Sequence, residues 1–171
     1  MRSDMAQYKK WLVNESKRED MKIKVRFIKD DYTGHSNHHL TWFIKISSYI
    51  GTIKIPEVLF TSKNPKFTEN ERKAIGLHEL GHLKMWKNFG FRGVLSHQKE
   101  NQEWIESEAD AYVKRRGLGK SLASYLRKTR KLKKKLSRES LKLRIKIWWR
   151  KHTWSHRYPD LNKRIEKLVD C

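Results

Sequence analysis

Apolar residues recur along this chain with two periods, and the changes between them mark out its elements. From the N-terminus to about residue 18, Met5, Tyr8 and Leu12 fall three and four apart among charged residues, which predicts a helix with one docking face. At Lys22 the period drops to two. Ile23, Val25 and Phe27 alternate with Lys22, Lys24 and Arg26, the pattern of a half-buried strand. A polar loop from Asp30 to His39 separates it from a second strand through Trp42, Phe43, Ile44 and Ile46, and a third strand at Ile50 to Ile55 ends on Pro56. Thr68 with Glu71 then forms a capping box, and Ile75, Leu77, Leu80, Leu83 and Trp86 continue through a stretch without proline. A helix from about Glu69 to Asn88, closed by Gly90, is predicted.

The C-terminal half is basic. A helical stretch around Trp104 to Tyr112 is followed by Leu118, Leu122, Leu126, Leu132 and Leu136, spaced near one or two helical turns with Lys and Arg between them. This reads as a basic amphipathic helix. Leu141, Leu143, Ile145 and Ile147 next alternate with basic residues, a strand-like period that a helix also accommodates, before Trp148, Trp149 and Trp154. The order is helix, small sheet, long helix, second helix, basic segment and terminal helix. That is an α+β layout in a single domain over residues 1–171, without repeats.

Charge sharpens this picture. The net charge is +21, and 17 of the 40 Lys and Arg lie between Lys114 and Lys151 against Glu139 alone. Three roles fit such a segment: a solvated face, a nucleic-acid surface with the tryptophans stacking on bases, or a basic amphipathic helix on an anionic membrane. No run approaches the ~20 apolar residues of a membrane span, and the N-terminus has no apolar leader segment. Cys171 is the single cysteine and forms no internal disulfide. A soluble, cytoplasmic protein is expected, with Cys171 either incidental or a latency ligand.

Candidate chemistry is concentrated at His78, Glu79 and His82, which spell HExxH. Composition alone would generate that pattern in roughly one such chain in forty, so its context decides. On a helix, residues four apart stack, so the imidazoles can grip one ion while Glu79 sits beside them as a base for metal-bound water. A third ligand is found in Trp104-Ile105-Glu106-Ser107-Glu108-Ala109-Asp110, where Glu106 and Asp110 again share a face. Glu106 is the expected Zn²⁺ ligand, Glu108 its fallback, and Asp110 the group that receives a ligand imidazole N–H. His35, His38 and His39 lack a carboxylate at ligand spacing and read as loop histidines.

Three features in order resemble gluzincin metallopeptidases, in particular the soluble core of the M48 (Ste24 and HtpX type) peptidases and the minigluzincins. They are the strand Ile50 to Pro56, HELGH at 78–82 and ExEAD at 106–110; the tail Tyr158-Pro159-Asp160-Leu161-Asn162-Lys163-Arg164-Ile165 resembles the closing segment of M48 enzymes. The resemblance implies a zincin-like fold, and a zinc endopeptidase acting on a peptide or protein substrate held along Ser48 to Ile55. It also implies possible self-inhibition and an oxyanion donor at Tyr158, where the family has His, or at His156. The alternative from another class is a nucleic-acid-binding protein on a zincin scaffold, or a protease recruited to nucleic acid through Lys114 to Lys151.

Overall fold

The computed structural model describes residues 2–28, 51–100, 102–139 and 160–169, with side chains at 2–28, 51–89, 103–131 and 160–169. Helix α1 spans Arg2–Arg18 and buries Tyr8 and Leu12, as their spacing requires. It closes where Asp20 turns left-handed at φ 51° and the N–H groups of Asp20 and Met21 bond the carbonyls of Lys17 and Ser16. Strands β1 (Ile23–Ile28) and β2 (Gly51–Pro56) pair in parallel with Ile23 opposite Gly51. Their alternate residues Ile23, Val25, Ile53 and Ile55 are buried, so the period-two pattern faces a core. The predicted strand at Trp42 to Ile46 and the loop histidines fall outside the described residues.

After the single turn α2 (Val58–Thr61), helix α3 (Glu69–Glu100) opens on the predicted capping box. Thr68 N–H donates to Glu71 Oε2 at 2.7 Å and Glu71 N–H to Thr68 Oγ1 at 3.2 Å. The predicted stop at Asn88 and Gly90 is corrected, because α3 runs unbroken to Glu100. Glycine ends a helix where the backbone turns left-handed; held in helical geometry with no following proline, it costs only about 1 kcal/mol relative to alanine.

Helices α4 (Gln102–Arg115), α5 (Gly119–Glu139) and α6 (Leu161–Val169) complete the described chain. Helix α4 ends at Gly117, φ 73°, with Gly117 and Leu118 N–H bonded to the carbonyls of Lys114 and Val113. Asp160 caps α6, its Oδ1 accepting the Asn162 N–H at 2.6 Å. Tyr8, Leu12, Val25, Ile53, Leu80, Val113, Leu122 and Leu168 belong to one apolar cluster that joins both strands to the helices around α3. Among the described residues the protein is thus mostly helical with a two-stranded parallel sheet, consistent with the α+β expectation. No described helix is long and apolar enough to cross a membrane.

Two glycines let α3 approach its neighbours. A Cβ at Gly81 would lie 3.1 Å from Ala109 Cα and 3.3 Å from Tyr112 Cβ, so this glycine sets the close contact that brings α4 against α3. A Cβ at Gly76 would collide with the Tyr8 hydroxyl, which instead donates to Arg72 O at 2.8 Å and ties α1 to α3.

Candidate metal centre

The helical turn from His78 to His82 stacks the two imidazoles edge to face, ring centres 4.6 Å apart. Their Nε2 atoms lie 3.1 Å apart. Helix α4, brought close at Gly81, presents Glu106 to this pair: Oε2 is 3.5 Å from His78 Nε2 and Oε1 is 3.7 Å from His82 Nε2. These three donors form a group that can hold a metal ion. Asp110, one turn further along α4, places Oδ1 3.0 Å from His78 Nδ1, a close contact whose direction departs from a linear hydrogen bond. The ring nitrogen that faces away from the triangle therefore meets a carboxylate, which favours its N–H tautomer and leaves Nε2 as a lone pair for an ion.

Arg164 of α6 closes the other side. Its Nε and Nη2 donate to the two oxygens of Asp110, both at 2.8 Å, and Nη1 lies 2.7 Å from Glu106 Oε2. One guanidinium thus fixes both carboxylates, using a fork geometry that a lysine lacks. Glu79 is 1% exposed on the same helix as the histidines.

Charge counting gives this cluster its chemical meaning. Ionised Glu79, Glu106 and Asp110 against Arg164, with both imidazoles neutral, leave two negative charges unbalanced in a buried place, which is costly. Without a cation, protonation makes up the deficit. Burial raises the Glu79 carboxyl well above its ordinary range; the His78 charge opposes that rise and the Glu106 carboxylate adds to it. Burial would lower His78, but the adjacent Asp110 and Glu106 carboxylates raise it. Burial and the neighbouring His78 charge lower His82. Glu106 and Asp110, although burial would raise them, are held below the carboxylate range by His78 together with Arg164. Both shifts favour a proton, on His78 and on Glu79, and one divalent cation would balance the same charges.

A second polar network fixes the helices that carry the ligands. Glu19, at the end of α1, receives Lys84 Nζ on Oε2 at 2.6 Å, and on Oε1 Arg116 Nη2 at 2.6 Å and the Tyr112 hydroxyl at 2.9 Å. Burial would raise the Glu19 carboxyl, and the bonds from Lys84, Tyr112 and Arg116 overcome this and bring it to about 2. Farther along α3, buried Glu71 accepts from Ser124 Oγ at 2.6 Å and from Lys128 Nζ at 2.7 Å, which joins α3 to α5.

The structure therefore brings together His78, His82 and Glu106, with Asp110 behind His78. Glu108 is not part of the ligand group, and Tyr158, His156 and Cys171 lie outside the described residues. Sequence reasoning missed Arg164 as a site residue, although the tail that resembles M48 contains it, and gave no role to Glu19. Comparison with protein-family models, with curated proteins and with solved structures finds no match.

Proposed function

We propose that the chain is a zinc-dependent endopeptidase, built on the zincin-like plan that its HELGH and ExEAD segments suggest. The observation that carries this reading is the convergence of His78 Nε2, His82 Nε2 and the Glu106 carboxylate: the two nitrogens lie 3.1 Å apart, Oε2 lies 3.5 Å from His78 Nε2, and Oε1 lies 3.7 Å from His82 Nε2. A tetrahedral zinc with bonds of about 2.0–2.1 Å separates its ligand atoms by about 3.3–3.4 Å. Two imidazoles with one carboxylate suit zinc, whereas calcium and magnesium take oxygen ligands. Three protein ligands leave a fourth position for water or substrate.

Zinc bound there supplies a Lewis acid that polarises a carbonyl and acidifies a water. The chain's own residues do the rest. Asp110 holds the His78 ring with its Nε2 toward the triangle, and Arg164 holds Glu106 and Asp110 in register. Glu79 takes a proton from the attacking water and returns it to the leaving amine, a role suited to a carboxylate whose affinity for protons burial has raised. Tyr158 or His156 donates to the developing oxyanion. The burial of Glu79 supports a latent form, in which a peptide reaches the carboxylate only after its cover moves.

The test is cleavage of a fluorogenic peptide library by the zinc-loaded chain, before and after limited proteolysis, beside the Glu79→Gln variant. The expected result is chelator-sensitive cleavage by the wild type, and none by a variant that still binds one zinc. Undiminished cleavage by Glu79→Gln, or a wild type that cleaves nothing under either condition, removes the reading.

A further inference from the structure

Most internal cations in the described structure are neutralised by a carboxylate: Lys84 by Glu19, Lys87 by Asp20, Arg116 by Glu15 and Glu19, Lys128 by Glu71, and Arg164 by Glu106. Helix α5 differs. Arg127, Arg130 and Lys131 are exposed and, among the described residues, form no ion pair, yet they line one cleft between α5 and α6. Its volume is about 530 Å³, Asn162, Ile165 and Glu166 supply the α6 wall, and Arg130 Nη1 donates to Asn162 Oδ1 at 2.6 Å across it. Among the described residues Glu166 is the single acid lining the cleft, so a positive excess remains there.

The cleft is part of a longer stripe. Seven and eleven residues are close to whole numbers of helical turns, so Lys120, Arg127 and Lys131 share one face of α5, opposite the buried Leu122 and Tyr125. The same register recurs along the helix at Lys134 and Arg138. Nine Lys and Arg occur in the 21 residues of α5, and five of them fall on this register; a helix of that length spans about 31 Å, or one stripe position per about 6 Å. One strand of duplex DNA carries a phosphate per about 3.4 Å. An extended peptide would need an acid at every second residue to meet each of those positions, whereas a phosphodiester backbone supplies a phosphate for each whatever its sequence.

We propose that the α5 stripe and its cleft with α6 bind the phosphodiester backbone of nucleic acid. The contact is independent of the metal centre's chemistry. Arg127 and Lys131 meet successive phosphates, and Arg130, braced by Asn162, points a third cation from the cleft wall. The surface reads charge and not base sequence, because phosphate contacts position a protein without specifying bases.

The experiment is fluorescence anisotropy of the full chain with a labelled DNA duplex about two turns long and with its single strand, across a salt series. Arg127→Gln with Lys131→Gln removes no ion pair among the described residues, and Lys9→Gln with Lys10→Gln, exposed on α1, serves as a control of equal charge. Each lost phosphate contact lowers the steepness of the salt dependence by about 0.9. The expected result is a slope shallower by nearly 2 and an affinity roughly tenfold weaker for the α5 variant, with the α1 control close to wild type and the melting temperatures of all three unchanged. Equal losses in the two variants, or a wild type whose binding is insensitive to salt, overturn the proposal. So does tighter binding of poly-glutamate than of either DNA, which would assign the surface to acidic proteins.

Discussion

Replacing Arg164 by methionine keeps the bulk of the side chain and deletes its charge, which separates packing from electrostatics at the metal centre. The guanidinium makes three contacts of 2.7 to 2.8 Å with Glu106 and Asp110, and the three side chains are only 12%, 15% and 9% exposed. Breaking a buried ion pair by removing one partner costs about 3–5 kcal/mol. The slight solvent access places this case at the lower end, about 3 kcal/mol. For a chain of this size that is a fall of roughly 6–12 °C in melting temperature. The loss appears in metal-free protein, where two carboxylates are left facing each other. Added zinc restores part of it, because a cation replaces the missing charge and binds the folded state alone. Zinc affinity itself falls about 10–100-fold, since Glu106 and Asp110 lose the group that orients them. Thermal unfolding with chelator and with excess zinc, together with a chelator-competition titration, reads all three quantities. A metal-free loss below about 1 kcal/mol would contradict the burial argument, and an unchanged zinc affinity would show that Arg164 is structural only.

Other consequences can be measured independently. Glu106→Ala abolishes stoichiometric zinc binding while Glu108→Ala retains one zinc per chain, as read by atomic absorption after dialysis; the reverse pattern would exchange the two ligands. Gly76→Ala drives a methyl into the Tyr8 hydroxyl and breaks its bond to Arg72 O, so urea denaturation should report a loss of about 1–3 kcal/mol. Glu19 has a folded value of about 2 against an ordinary 4.5, so its ionised form stabilises the protein above pH 4.5, and that stability disappears as pH falls toward 2. Screened at the helix rim, the contribution is about 2 kcal/mol. The stability gap between wild type and Glu19→Gln should accordingly be flat near neutrality and close on acidification; a gap that widens in acid would refute the assignment.

The elements legible in the sequence are those fixed within one or two turns of chain. Tyr8 and Leu12 revealed α1, the alternation at Ile23, Val25 and Phe27 revealed β1, and Thr68 with Glu71 marked the start of α3 through bonds only three residues long. The end of α3 was not legible, because Gly90 weakens a helix without ending it, and whether the chain continues depends on what packs beside it. Partners far apart in sequence were lost for the same reason. Arg164 meets Asp110 across 54 residues, and Tyr112 meets Glu19 across 93; only the packing of α6 and α1 against α4 selects those carboxylates. Gly81, between the histidines, is the residue that admits α4 to the site.

The metal reading stands on the way these separate facts combine. A helix bearing His78 and His82 is ordinary by itself, and a histidine pair in a core is satisfied by one neighbouring carboxylate. Here three carboxylates surround the pair and a single guanidinium answers them, so a purely structural role would require the chain to bury an excess of two negative charges. Proteins seldom retain such an arrangement for stability, since apolar residues of similar volume pack there at less cost. The surroundings favour protons on His78 and Glu79, which would offset the excess. A divalent ion would offset it while releasing both, and the same release would convert Glu79 from a buried acid into the base that the proposed hydrolysis needs. Under the proposed function, filling the site and arming the base would be a single event.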